Sequence, residues 1–310
     1  MVTLSLVVPC FNEQESIPLF YKEAYEILKN LEQKSIYSEI IFVDDGSKDN
    51  TAKIIEEISQ NDDRVHYIVF SRNFGKEAAL LAGLQKATGL YVVTLDADLQ
   101  DPPALIPQML EPVMSGAFDC AGTRRVTRKG EPPIRSFFAR MFYRIMGTLT
   151  DIEVVDGARD FRLMNRFYVN AILSLPERSR FSKGIFPWVG FRTKWFEYEN
   201  IQRAAGETKW SFWKLFLYSL DGIIAFSTKP LAIASVLGVL LFLLSLGFIV
   251  FIVIRKSIWG DPVAGWASTA CLILFCAGVQ LFTTGILGAY LSKTYTEVKQ
   301  RPYYVIRLEK

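Results

Sequence analysis

Over the first hundred residues, short apolar runs alternate with longer stretches of helical periodicity. Residues 4–8 form a β-branched and apolar run that predicts a strand, closed by Pro9. Residues 16–34 place Ile17, Phe20, Tyr21, Ala24, Ile27, Leu28 and Leu31 on one face of a predicted helix. A second strand is predicted over 39–43, running into Asp44 and Asp45. A second helix follows over 51–60, with Ser47, Lys48, Asp49 and Asn50 as its capping region. Strand, helix and strand are predicted again over 65–70, 75–87 and 91–95. Strands alternating with helices imply βαβ units and a mostly parallel sheet, the α/β class. In such sheets ligands bind beyond the carboxyl ends of the strands. Four polar clusters fall at those ends: residues 9–13, 44–45, 71–73 and 96–98.

The pattern changes further along the chain. Residues 134–150 set Phe138, Met141, Phe142, Ile145 and Met146 at helical spacing, interrupted by Arg135, Arg140 and Arg144. That is a basic, aromatic amphipathic helix, suited either to a membrane interface or to packing on the core. Residues 231–254 and 267–291 carry no charge, and each is long enough to cross ~30 Å of hydrocarbon at ~1.5 Å per residue. Residues 255–266 connect them, so the two spans form a hairpin. Lys209, Lys214 and Lys229 precede it and Lys293, Lys299, Arg301, Arg307 and Lys310 follow it, whereas the connection offers Arg255 and Lys256. The positive-inside bias then puts the large domain and the C-terminus in the cytoplasm, with the hairpin in the cytoplasmic membrane. Residues 212–226, with Trp213, Phe216, Leu217, Leu220 and Ile224, are expected along the interface. The expected organisation is a cytosolic domain over 1–210, a juxtamembrane amphipathic segment over 211–228, the hairpin over 229–292 and a cytosolic tail over 293–310. Gly278, Gly285, Gly288 and Ala289 could pack helices closely, which suggests a homo-oligomer, with a tetramer as the guess.

Composition narrows the chemistry. The net charge is +3 in 310 residues, so no nucleic-acid partner is indicated. A single histidine, His66, argues against a histidine zinc site or a Ser-His-Asp triad, and it sits in a predicted strand. Cys10, Cys120, Cys271 and Cys276 form no CxxC pair, which suits buried thiols in a reducing compartment. The N-terminus runs straight into a strand, so no signal peptide is expected.

The most informative chemistry lies at the end of the fourth predicted strand, Leu95-Asp96-Ala97-Asp98-Leu99-Gln100-Asp101-Pro102-Pro103. Two carboxylates at i and i+2 where a strand leaves its sheet can face one hard cation, and Gln100 adds a neutral oxygen. Mg²⁺ or Mn²⁺ takes such ligands and keeps positions open for substrate phosphates. Taken alone, the same pattern describes a strand end with solvated acids. Lys76, near the start of the third helix, could touch phosphate or be a surface lysine.

Leu6-Val7-Val8-Pro9-Cys10-Phe11-Asn12-Glu13, then Val43-Asp44-Asp45-Gly46-Ser47, then the Asp96 segment, in that order, resemble the family 2 glycosyltransferases. The match is closest to the polyprenyl-phosphate hexose synthases: the bactoprenol glucosyltransferases and the dolichyl-phosphate mannose synthases. The resemblance implies a GT-A fold, Rossmann-like with a mostly parallel sheet, followed by interfacial amphipathic helices and a two-helix transmembrane hairpin. By this resemblance Pro9, Phe11, Asn12 and Glu13 line a nucleotide pocket, and Asp44 or Asp45 bonds the base or ribose. Asn50 and Thr51 cap the next helix. Asp96, Ala97, Asp98 and Gln100 form the metal and diphosphate loop. Residues 156–164 resemble the acceptor-side segment. The base is ambiguous between Asp156 and Asp160, the pattern favouring Asp160, and Arg159 stands where many members carry glycine. Arg162 would orient that aspartate, bind acceptor phosphate, or form a structural salt bridge. Residues 202–211 resemble a phosphate-clamping loop, with Arg203 and Lys209 as the cations, Gly206 at the turn and Thr208 in place of serine. Arg124, Arg125 and Arg128 make another basic cluster, either on phosphate or in a solvated loop.

The implied reaction is inverting transfer of a hexose, glucose from UDP-glucose, to undecaprenyl phosphate at the bilayer. The alternatives are GDP-mannose or another UDP-sugar as donor, and a non-catalytic membrane scaffold. A processive synthase would carry a QxxRW motif, which this chain lacks.

Overall fold

The structure, a computed structural model, describes residues 2–125, 157–198, 222–259 and 265–310, with the single positions 147 and 155. The amphipathic segment at 134–150 therefore lies outside the described residues apart from Gly147. The loop at 202–211 and positions Asp156, Arg128, Arg203 and Lys209 lie outside them entirely.

The first half follows the hydrophobic pattern closely. Strand β1 (Leu4–Cys10) leads to helix α1 (Ser16–Glu32), then β2 (Ser38–Asp44), α2 (Thr51–Asn61), β3 (Val65–Phe70), α3 (Lys76–Lys86) and β4 (Tyr91–Thr94). A short 3₁₀ turn (Pro103–Leu105) and α4 (Ile106–Met114) follow, then β5 (Cys120–Arg125), β6 (Ala158–Asn165), α5 (Arg166–Ser174), α6 (Ser182–Trp188) and β7 (Thr193–Tyr198). Two long helices, α7 (Lys229–Trp259) and α8 (Trp266–Lys299), precede a last strand, β8 (Ile306–Glu309).

The eight strands among the described residues form one sheet in the order β7-β5-β6-β4-β1-β2-β3-β8. The β4-β1-β2-β3 centre is parallel, β6 runs antiparallel to both β4 and β5, and β8 runs antiparallel to β3. Side chains alternate between the faces of the central strands. Leu4, Leu6 and Val8 of β1 and Ile40 and Phe42 of β2 pack beneath Phe20 and Leu28 of α1, while Val7, Ile41 and Val43 meet Ala79 and Ala82 of α3 on the other face. Gly83 lets α3 approach closely, since a Cβ there would sit 2.2 Å from Val7 Cγ1.

Pro9 does not close β1; it lies within it, opposite Val43. Pairing of β1 with β4 stops at Val7–Thr94, so the missing N–H of Pro9 falls where β1 has a neighbour on one side only. Within the capping region expected over 47–50, the cap of α2 is Asp49 and not Asn50. Asn50 makes no side-chain cap; Asp49 Oδ1 accepts from the Thr51 N–H (3.0 Å) and hydroxyl (2.6 Å) instead.

Helices α7 and α8 each contain a stretch long and apolar enough to cross a membrane by length and composition, Lys229–Phe251 and Phe275–Lys299. Cβ atoms built at Gly278, Gly285 and Gly288 would meet nothing within 4 Å, so these glycines do not serve packing against α7. The hairpin is tied to the α/β domain at both ends. Ahead of α7, Phe226 lies against Phe181 and Gly184, and Ser227 O accepts from Tyr290 of α8 at 2.5 Å. At the far end of α8, Glu297 Oε1 accepts from the N–H groups of Arg178 (2.8 Å) and Ser179 (3.0 Å). The tail expected over 293–310 is in fact the last turns of α8 followed by an edge strand.

Candidate active site

The loops after β1 and β2 are zipped together. Asn12, at φ +53°, donates its N–H to Ser47 Oγ (2.8 Å) and accepts from the Lys48 N–H (2.8 Å). The Glu13 N–H reaches Thr51 Oγ1 at 2.8 Å. Pro9, Phe11, Asn12 and Glu13 thus stand at the carboxyl end of the sheet, as the pattern required. Asp44 and Asp45 are 1% and 3% exposed, and both are engaged within the protein. Asp44 accepts from the Ser47 N–H (3.2 Å) and hydroxyl. Burial raises its pKa against those two bonds.

Asp45 reaches across to the loop after β3 and accepts from the N–H groups of Phe74 (2.6 Å) and Gly75 (2.9 Å). Gly75, at φ +100°, makes the turn into α3. Burial pushes the Asp45 carboxyl up to about 6 despite those donors. A folded pKa above the unfolded value, 3.8, gives stability that is full below about pH 4 and lost as pH rises through about 6. Asp45→Asn keeps an acceptor for Phe74 and removes the titration. Urea midpoints taken between about pH 4 and 7 are expected to show a shallower decline in the variant than in the wild type. An identical decline would assign the slope to other groups, Asp44 first.

Beyond Thr94, β4 opens into the loop that carries the acids. The β4–β6 register pairs Thr94 with Arg162. Continued by two residues, it would set Asp96 opposite Asp160. Like charges facing across a ladder repel, and the structure places the ammonium of Lys76 between them. Lys76 Nζ lies 2.7 Å from Asp96 Oδ1, 2.9 Å from Asp96 Oδ2 and 2.6 Å from Asp160 Oδ2. Burial alone would lower the Lys76 pKa, but the two carboxylates raise it, so Lys76 is held charged. Burial would likewise raise Asp160, but Lys76, Lys183 of α6 and Arg159 together hold it well below the usual carboxylate range. Glu77, beside Lys76, accepts from the Ser182 N–H (3.0 Å) and hydroxyl and so ties α3 to α6.

Asp98 is 5% exposed, and its Oδ1 accepts from the Gln100 N–H at 3.1 Å. Among the described residues no group of three or more His, Cys, Asp or Glu side chains gathers around a point. Two carboxylates and an amide oxygen nonetheless fit a hard divalent ion that takes its remaining ligands from water and a diphosphate. The ammonium already held by both Asp96 oxygens shows that this position favours a cation.

Two expected phosphate ligands are placed otherwise. Arg162 is 4% exposed, stacked under Phe186 (4.6 Å) and Trp195 (5.0 Å), and no hydrogen bond reaches its Nε; it is a buried part of the β6 packing. Its place two residues after Asp160 put it on the same strand face, but deeper in the sheet. Arg124 pairs with Glu197 across β5 and β7. Arg125 continues the strand, its N–H donating to Gly157 O at 3.0 Å. Lys183 and the Glu77–Ser182 tie had no sequence signal, since a lone lysine in a short helix reads as solvated. Lys76 had only half of one.

A parallel α/β sheet with acids after β4 facing an acid on an antiparallel β6 is the frame of a nucleotide-sugar-dependent transferase of the GT-A class. The sequence pattern described as glycosyl transferase family 2 matches residues 5–173, and the chain belongs to that family. It is 42% identical over 309 residues to the bactoprenol glucosyl transferase of Shigella phage SfV, covering 99% of each chain. It is 41% identical to the prophage bactoprenol glucosyl transferase homolog of Escherichia coli K12, covering 98% of each. An uncharacterized glycosyltransferase of Synechocystis is 42% identical over 98% of this chain and 95% of its own.

Proposed function

We propose that the chain transfers glucose from UDP-glucose to a polyprenyl phosphate of undecaprenyl type, with inversion, at the cytoplasmic face of a membrane that α7 and α8 span. The observation that carries this reading is the single ammonium of Lys76 held between Asp96, after β4, and Asp160, on β6. Donor-side and acceptor-side carboxylates meet there on one cation. The resemblance over nearly the whole chain to bactoprenol glucosyl transferases supports the lipid acceptor.

The nucleotide would lie over the zipped loops after β1 and β2. Asp96 and Asp98, with the Gln100 side-chain oxygen, would hold Mg²⁺ or Mn²⁺, which when bound supplies positive charge to the departing diphosphate. The acceptor phosphate has a second pKa near ~6 and is largely dianionic at neutral pH. Its oxygen attacks the anomeric carbon as the bond to UDP breaks, and no proton need be removed. Asp160, held far below the usual range by three cations, is a poor proton acceptor. Its part is to fix Lys76, and with Lys183 nearby to shape the place where a dianionic phosphate docks.

The test is transfer of radiolabelled sugar from UDP-glucose to undecaprenyl phosphate with Mg²⁺ or Mn²⁺, repeated with EDTA. Lipid-linked product that disappears with EDTA is the expected result. Product from GDP-mannose or another UDP-sugar instead would replace the donor. No product from any donor would leave a non-catalytic scaffold.

A further inference from the structure

The carboxylate of Asp101 is 1% exposed, at the end of the loop that begins at Thr94. Its Oδ1 accepts from Arg159 Nε at 3.0 Å and from the Tyr198 hydroxyl, while no hydrogen bond reaches its buried Oδ2. Burying such a pair is expensive: the attraction between the charges offsets desolvation only where the geometry is good. Apolar residues would hold the sheet as well, so stability alone does not explain it.

Position does. Arg159 and Asp160 are consecutive on β6, so their side chains leave opposite faces of the strand. Thr94 Oγ1 donates to the backbone oxygen of Asp160 at 2.6 Å, where the β4–β6 ladder has ended. Asp101 grips Arg159. Both ends of the 94–101 loop are therefore fastened to one dipeptide of β6, and Asp96 and Asp98 lie between the fastenings.

We infer that Arg159, through Asp101 and Tyr198, is a positioning residue that fixes the carboxylates Asp96 and Asp98 relative to Asp160. It couples the donor loop to the acceptor side without touching either substrate. Arginine suits the task because its planar fork holds one geometry, which a lysine does not. The inference rests on the proposed role of Asp96 and Asp98 in binding a divalent ion.

The test uses the full chain in lipid nanodiscs. Arg159→Gln is expected to speed hydrogen exchange in peptides covering 94–101 about tenfold or more, with β1, β2 and β3 within about twofold of wild type. The Mn²⁺ concentration for half-maximal transfer is expected to rise about 10-fold or more, the usual cost of losing a partner behind a metal ligand. Arg159→Lys recovers part of the metal response but not the exchange protection. Tyr198→Phe, which keeps the ion pair, moves both readouts the same way by about two- to threefold and covers the case in which Arg159→Gln does not fold. Unchanged exchange at 94–101, or a rise spread evenly over the sheet, would reduce Arg159 to a packing residue. Exchange needs no substrate, so it decides this point even if UDP-glucose proves not to be the donor.

Discussion

Asp96→Asn and Asp98→Asn are each expected to lower transfer at least about 1,000-fold, whereas Asp160→Asn lowers it only about 10- to 100-fold. The difference follows from where each acid stands. Asp96 and Asp98 leave β4 together and carry the negative charge that would hold a divalent ion against the donor diphosphate. An amide there keeps the shape and loses the charge. Asp160 faces the same point from β6 but is engaged by Lys76 at 2.6 Å and kept ionised by Lys183 and Arg159 as well. A group so strongly held as its anion takes up a proton poorly, and the dianionic acceptor offers none to take. Its loss misplaces Lys76, which still has Asp96 as a partner at 2.7 Å. Single-turnover transfer with labelled donor, at saturating metal, separates the three variants. Thermal midpoints within a few degrees of wild type would show that the chemistry, not the fold, has changed. Equal and complete loss in all three would make Asp160 an obligatory base and overturn the positioning role.

The parallel half of the sheet was legible because its strands are largely buried on both faces and read as apolar runs; predicted and observed ends differ there by at most two residues. Past Pro103, outside the two long apolar helices, the pattern fails for physical reasons. Strand β6 carries Arg159, Asp160 and Arg162, and a charged strand does not look like one until its partners, Asp101 and Lys76, are in place. Strand β8 reads as a basic tail because it lies at an edge, with all four residues exposed. The acids of the candidate site stood out for a related reason. Asp96 and Asp98 end an apolar strand abruptly, and no basic residue lies near them in sequence. Lys76 stayed ambiguous because a lysine at a helix start is ordinarily solvated; only the register that opposes Asp96 to Asp160 reveals why a cation belongs there.

Removing residues 303–310 is expected to cost more than a floppy tail should. Strand β8 pairs with β3 through Ile68–Glu309, Val69–Leu308 and Phe70–Ile306, and Lys310 exchanges backbone bonds with Tyr67 in both directions (3.0 and 3.3 Å). Tyr304 stacks on Phe70 with ring centroids 4.8 Å apart and planes at 13°, and its hydroxyl meets Gln85 Oε1 at 2.5 Å. Tyr303 donates to Pro176 O at 2.5 Å, beside the loop that Glu297 holds. For Tyr304→Ala alone, lost burial and stacking amount to about 2–4 kcal/mol, a fall in Tm of about 5–10 °C. The full deletion also makes β3 an edge strand, with Phe70 uncovered and open to pairing between chains. Function is affected by a separate route. The tail and Glu297 fix the end of α8 to the α/β domain, and hence the height of Asp96 and Asp160 above the bilayer that the hairpin is proposed to span. Transfer to an acceptor held in vesicles is therefore expected to fall at least about tenfold in the deletion, an amount a displacement of about 1 Å can already cause. Binding of UDP to the same protein, measured below its lowered Tm, is expected to stay within about twofold, because β8 pairs with β3 and not with β1, β2 or β4, whose loops would hold the nucleotide. Equal losses of UDP binding and transfer would mean that the tail only stabilises the domain, and no loss of either would make it a passenger.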